Sequence, residues 1–259
     1  MPRRVYWFVM VGGLLVALYL AVCAFFYVKQ RDLLYFPQPA SVPGERLQLR
    51  SHDGLKLVVS VAGPVEASSA VLYFGGNAED VSATASGLSA ILPGQRIYLM
   101  HYRGYGESEG QPTESGLRAD AIALFDGVRA QHAVLSVAGR SLGSGVAVWL
   151  ATQRPVHRLA LITPYDSIEQ TAAHHYPFLP IAWLLKDRFD SAAIAGGITV
   201  PTSVLLAQQD QVIPPARTEA LMARFKPTVV TVTRFDGRNH GDISLDAKYP
   251  GAMARALSP

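Results

Sequence analysis

A chain of 259 residues with 49% hydrophobic content can build one α/β domain of ordinary size plus an appendage, and is too short for a second full domain. The formal net charge is only +3, and the basic residues are scattered rather than gathered into a stripe with aromatic partners, so no nucleic-acid partner is expected. The single cysteine, Cys23, excludes an intrachain disulfide and leaves the redox compartment open.

From Val5 to Val28 the chain carries no charge, and Arg3, Arg4, Lys29 and Arg31 bracket the run. As a helix this length crosses a hydrocarbon core of roughly 30 Å, so residues 1–31 are expected to form a single membrane anchor. A cleaved signal peptide is the rival, but Val22 before Cys23 and the apolar continuation through Ala24, Phe25, Phe26 and Tyr27 speak against processing there. The positive charges on the two sides nearly balance. The basic pair directly before the span tips the expectation towards a bacterial inner-membrane protein with its catalytic domain in the periplasm.

Residues 32–44, with Pro37 to Gly44 polar and proline-containing, are expected to link this anchor to a domain over 45–259. Leu47–Leu49 and Leu55–Val61 flank the turn His52-Asp53-Gly54, the pattern of an antiparallel hairpin. Beyond it, short apolar runs alternate with amphipathic segments. Strands are predicted at Val71–Phe74, Arg96–Met100, Val134–Val137, Leu159–Ile162, Val204–Leu206 and Val229–Val232, with helices through Val81 to Ile91, over Gly116–Gln131 and after Ser141. Alternation of this kind implies an α/β fold, a mostly parallel sheet with helices on both faces and ligands at the carboxyl ends of the strands.

One stretch, 167–195, breaks the rhythm. It contains the apolar run Tyr176 to Leu185, interrupted by Pro177 and Pro180, and reads either as a cap over the site or as an ordinary crossover helix with irregular ends. As a cap, it would line an acyl pocket with Phe178, Trp183 and Leu184.

Gly139-Arg140-Ser141-Leu142-Gly143 is a G-x-S-x-G pentapeptide between a predicted strand and a predicted helix, which makes Ser141 the candidate nucleophile. A serine nucleophile needs a base to take its proton and a third group to fix that base's tautomer. Asp210 follows the apolar run Val204 to Ala207, and His240 follows the last predicted strand, giving the order Ser, Asp, His expected of an α/β-hydrolase. Asp166, also after a strand, is the competing acid. The oxyanion needs two N–H donors, one from Leu142 and the other from Gly75-Gly76-Asn77-Ala78, with Asn77 first choice and Gly76 or Ala78 as alternatives. His174-His175 read as cap surface, because no third metal ligand is spaced beside them. The chemistry calls for no metal and no organic cofactor.

These motifs, with Tyr102-Arg103-Gly104-Tyr105-Gly106-Glu107-Ser108 and Leu33-Leu34-Tyr35-Phe36-Pro37, resemble the membrane-anchored branch of the α/β-hydrolase superfamily, which includes abhydrolase-domain protein depalmitoylases and bacterial relatives. One departure is Gly75-Gly76, where many relatives carry His-Gly. The resemblance implies the α/β-hydrolase fold, a structural role for the Tyr102–Ser108 loop, and a serine hydrolase of carboxylesterase or thioesterase type. The expected substrate is an ester or thioester, acylated or lipid-like. Two other readings stand beside it: a serine aminopeptidase-like hydrolase, which would need an acidic group near the substrate amine, and a non-catalytic binding protein that keeps the fold.

Overall fold

The computed structural model describes residues 3–259, with side chains from Tyr6 onward. Residues 1 and 2 of the expected anchor, and the side chains of Arg3, Arg4 and Val5, lie outside the described residues. Helix α1, Arg3–Leu34, runs three residues past the expected end of the anchor. The predicted hairpin is β1, Glu45–Arg50, paired antiparallel with β2, Lys56–Ala62. Then follow β3 (Ser69–Phe74), α2 (Val81–Ile91), β4 (Arg96–Met100), α3 (Glu114–Val128), β5 (Val134–Arg140), α4 (Leu142–Gln153) and β6 (Leu159–Ile162). The chain continues through α5 (Ile168–His175), α6 (Ile181–Leu184), β7 (Thr202–Ala207), α7 (Pro215–Met222), β8 (Val230–Phe235) and α8 (Tyr249–Leu257).

The strands form one sheet in the order β1-β2-β4-β3-β5-β6-β7-β8, parallel from β4 to β8. Successive side chains of a strand point to opposite faces, so each inner strand feeds two cores. Leu72 and Phe74 of β3 pack with Leu117, Leu124, Val146 and Leu150 from α3 and α4. Val71 and Tyr73 pack on the other face with Val81 and Leu88 from α2 and Met253 and Leu257 from α8. Covering both faces explains why β3 to β6 read as continuous apolar runs rather than alternating ones.

The segment after α1 is fastened to the domain rather than free. The Phe36 amide donates to Asn77 O at 3.1 Å, Gly106 N to Gln38 O at 2.8 Å, and Ser41 N to Asp80 Oδ2 at 2.9 Å. Residues 167–195 form two short helices rather than one crossover helix. Pro177 and Pro180 cannot donate to a continuing helix, so α5 stops at His175 and α6 lasts one turn.

Candidate active site

Ser141 sits at φ 50°, ψ −120°, between the end of β5 and the first residue of α4. A non-glycine residue held there costs about 1–3 kcal/mol, which the surrounding bonds offset. The Ser141 amide donates to Ile162 O at 2.9 Å, and its carbonyl accepts from the Ser144 amide at 2.9 Å and the Ser144 hydroxyl at 2.6 Å. The flanking glycines are steric necessities. A Cβ on Gly143 would lie 2.1 Å from Phe74 O, and one on Gly139 would lie 2.4 Å from Gly143 O.

The three residues singled out by order alone meet at the carboxyl ends of β5, β7 and β8. The Ser141 hydroxyl faces His240 Nε2 at 2.9 Å, and His240 Nδ1–H donates to Asp210 Oδ2 at 2.7 Å. Asp210 is buried, and its other oxygen accepts from the amides of Val212 at 2.9 Å and Ile213 at 2.8 Å. Those two bonds fix the carboxylate plane and aim Oδ2 at the imidazole. This arrangement supports the neutral histidine with its proton on Nδ1 and leaves Nε2 free to accept from serine. Asp166, the competing acid, is engaged elsewhere: it accepts from the Ser167 amide at 2.8 Å and Arg217 Nη1 at 3.0 Å. Burial pushes its carboxyl above the usual range.

Around Ser141 the loop after β3 presents Asn77 beside Leu142, and both line the cavity above the serine. Leu142 is the first residue of α4, so its amide has no helical acceptor. Among the described residues, neither its amide nor that of Asn77 has a protein acceptor. Gly76, an alternative donor, is already committed: its amide bonds Glu79 Oε2 at 2.8 Å.

The Tyr102–Ser108 loop was expected to be structural, but sequence reading missed Glu79, which helps hold the loop after β3. Glu79 also accepts from Tyr73 at 2.9 Å and Thr84 at 2.7 Å, and lies 3.9 Å from Arg140, whose Nη2 donates to His240 O at 3.3 Å. Tyr102 and Tyr105 donate to the carbonyls of Gly75 at 2.8 Å and Asn77 at 2.6 Å, which fixes the backbone of this loop. Beneath them, Arg103 bridges Asp120 and Asp53. The Gly-Gly-Asn and Tyr-Arg-Gly-Tyr-Gly runs were visible in the sequence, but nothing there marked Glu79.

A cavity of about 290 Å³ opens over Ser141, walled by α5, α6, the Val212–Ile213 turn and α1, with Phe26, Gln30, Leu33 and Leu34 contributed by α1. Of the three expected pocket residues, only Leu184 lines it. Phe178 and Trp183 do not: they are 59% and 87% exposed, because Ile181 and Leu184 take the inward face of the one-turn α6, with Leu185 lining the cavity just after it. The α1 wall was not foreseen. Leu34 O at the end of α1 accepts from Asn77 Nδ2 at 2.8 Å, so this helix is tied directly to the loop that offers the amide.

Comparison with known proteins agrees with this architecture. An uncharacterized protein of Mycobacterium tuberculosis strain H37Rv is 35% identical over 223 residues, covering 78% of this chain and 77% of its own length. Lysophosphatidylserine lipase ABHD12 of Danio rerio is 32% identical over 141 residues, covering 47% of this chain and 37% of the lipase, and that of Xenopus tropicalis is 31% identical over 184 residues, covering 61% and 45%. Among solved structures, an esterase of Pyrococcus furiosus superposes with a TM-score of 0.64 at 15% identity over 84% of this chain and 93% of its own. Alpha/beta hydrolase domain-containing protein 10 from mouse gives 0.61 at 16% over 82% and 96%. No family model matches the sequence. The chain belongs to the α/β-hydrolase superfamily, with abhydrolase-domain proteins among its relatives.

Proposed function

We propose that this protein is a membrane-anchored serine hydrolase that cleaves carboxylic esters or thioesters carrying an acyl chain. The observation that carries the reading is the unbroken line from Asp210 through His240 to the Ser141 hydroxyl, ending at the floor of an apolar cavity. In this scheme His240 takes the Ser141 proton as Oγ attacks the carbonyl carbon, and Asp210 stabilises the imidazolium. The amides of Leu142 and Asn77 receive the oxyanion, with the amino end of α4 adding its dipole. Collapse expels the alcohol or thiol, protonated by His240, and leaves an acyl-Ser141 ester. Water, deprotonated by the same histidine, then releases the acid.

The lining of the cavity favours this over an aminopeptidase. Among its described residues none is Asp or Glu, so a substrate ammonium would find no carboxylate there. The names of the similar lipases and esterase point the same way. We further propose that residues 1–31 anchor the chain, 32–44 connect, and 45–259 form the hydrolase with its cap at 167–195. Tyr6–Leu34 is long and apolar enough to cross a membrane, and its most apolar 18-residue stretch has mean hydropathy 2.5. The basic residues before it support a bacterial inner-membrane protein with a periplasmic catalytic domain. The test of the chemistry is active-site labelling: a fluorophosphonate probe is expected to mark the full-length protein, and Ser141→Ala to remove the mark while the protein remains folded. Undiminished labelling of folded Ser141→Ala would overturn the assignment.

A further inference from the structure

Helix α1 does two things at once, and its geometry shows that they overlap. Each helical residue advances 1.5 Å, so Tyr6 to Tyr19 spans only about 20 Å, short of a hydrocarbon core of about 30 Å. Yet contact with the cap begins at Tyr19, whose hydroxyl donates to Phe178 O at 3.0 Å. It continues through Cys23, packed on Leu179 and Ile181, and Phe26, whose ring centroid lies 5.5 Å from that of Tyr176. A bilayer that covers the apolar part of α1 must therefore extend roughly 10–14 Å past Tyr19, alongside the cap.

The cap is built for that depth. From Tyr176 to Leu185 it has no charged side chain, and Tyr176, Phe178 and Trp183 are 42%, 59% and 87% exposed. Lipid supplies no hydrogen bonds, so an immersed backbone must satisfy its own polar groups. Pro177 and Pro180 have no N–H to satisfy, and six of the eight remaining amides, those of Tyr176, Leu179, Ile181, Trp183, Leu184 and Leu185, donate to backbone carbonyls, which leaves only those of Phe178 and Ala182 without a protein acceptor among the described residues. The carbonyls of Phe178, Ala182 and Leu184 accept from Tyr19, Arg188 and Gln30.

The two segments also become polar at one level. On α1 the change falls between Val28 and Lys29, and on the cap between Leu185 and Lys186. Across that boundary Lys186 Nζ lies 4.1 Å from the Tyr27 ring centroid, Lys186 N donates to Gln30 Oε1 at 2.7 Å, and Arg31 pairs with Asp187 at 2.9 Å. Tyr27 and Trp183 fit the aromatic enrichment of membrane interfaces. Between these walls runs the cavity, from Ser141 and Leu34 towards Phe26 and Tyr176, with Leu33, Tyr176 and Val212 exposed at its rim.

We propose that the cap segment Tyr176–Leu185 lies within the lipid leaflet against α1, and that the cavity over Ser141 takes acyl chains laterally from that leaflet. The occupant of the exposed cap surface is the bilayer, since that surface continues the lipid-facing surface of α1. The acyl part of the inference rests on the hydrolase reading, whereas the placement of the cap does not.

The test uses full-length protein in phosphatidylcholine vesicles, with Trp7→Phe and Trp149→Phe leaving Trp183 as the sole tryptophan. Phosphatidylcholine brominated at shallow acyl positions is expected to quench Trp183 strongly, and aqueous iodide hardly at all. Quenching by iodide would show a cap in water, and quenching by neither would show a cap covered by protein, and either result overturns the placement. For entry, Trp183→Asp is expected to slow hydrolysis of a long-chain ester carried in the vesicles by about tenfold, with a soluble short-chain ester unaffected, because a carboxylate resists immersion. Unchanged long-chain turnover would overturn lateral entry, as would equal loss on both esters. If Ser141-dependent turnover of the short ester were missing altogether, the hydrolase reading would fail while the fluorescence still decided the cap.

Discussion

Asp210→Asn isolates the electrostatic part of the site with little change in shape. The asparagine oxygen can keep the bonds that Asp210 Oδ1 accepts from Val212 N at 2.9 Å and Ile213 N at 2.8 Å, so the side chain stays in its plane. Its NH₂ then occupies the place of Oδ2, 2.7 Å from His240 Nδ1. Two N–H groups cannot face each other there, so Nδ1 becomes the acceptor and the imidazole proton moves to Nε2. The Ser141 hydroxyl, 2.9 Å from that nitrogen, then meets a donor and loses its base. In serine proteases the corresponding exchange lowers kcat about 10⁴-fold, equivalent to roughly 5.5 kcal/mol of transition-state stabilisation. The expected result is a loss of about 10³ to 10⁴ in kcat for a short p-nitrophenyl ester, with an unchanged circular dichroism spectrum and thermal midpoint. Asp166→Asn, which leaves the His240 contact untouched, should keep kcat within a few-fold and show its cost in stability, through the Arg217 pair. A loss under tenfold for Asp210→Asn, or an equal loss for Asp166→Asn, would refute this account of the acid.

Leu184→Ala removes bulk from the cavity wall, and at about 0.8 kcal/mol per buried methylene contact it should reduce the preference for long over short acyl esters by about tenfold; kcat/KM across a graded ester series checks this, and an unchanged ratio would place the chain elsewhere. His101 is 2% exposed, with Nε2 2.7 Å from Ser60 Oγ, and burial holds its pKa down at about 4. The unfolded chain takes up a proton on this ring below about 6.5 whereas the folded one stays neutral, so stability present above that pH should decline as pH falls towards 4, by about 3 kcal/mol in all. Thermal melting of His101→Gln should lack that part of the slope, and an identical slope would remove His101 as its cause.

Much of this fold was legible because its punctuation is local. Strands β3 to β7 are short, largely apolar runs closed by polar or glycine turns, β8 alternates Val with Thr, and Ser141, Asp210 and His240 each follow a strand. Helix α8 escaped notice although its signals were present, with Pro250 in its first turn and Ala252, Met253, Ala256 and Leu257 on one buried face. The direction of side chains in the cap was not legible. In a one-turn helix between proline turns no periodicity distinguishes Leu184, facing in, from Trp183, facing out.

The wall that α1 gives the cavity is hidden for a different reason. A surface that faces lipid and a surface that faces an acyl chain need the same aliphatic chemistry, so hydropathy cannot separate them, and α1 is apolar on all sides. What does separate them is the placement of groups that lipid would not satisfy. Tyr19, Cys23, Phe26 and Gln30 fall at intervals of four, three and four residues, which puts them on one stripe of a helix. All four meet the cap: Tyr19 through Phe178 O, Cys23 through Leu179 and Ile181, Phe26 through Tyr176, and Gln30 through Leu184 O and Lys186 N. Continued by one more turn, the stripe reaches Leu34, where Asn77 Nδ2 caps the carbonyl. The docking face of the helix is thus written in its few polar and bulky positions, and it ends at Leu34, whose carbonyl holds the side chain of Asn77, the residue whose amide the proposed mechanism needs for the oxyanion. Under the proposed anchoring, a shift of α1 is expected to be felt first at Asn77, through its bond to Leu34 O, ahead of any change in Ser141, Asp210 or His240, which follow strands of the sheet.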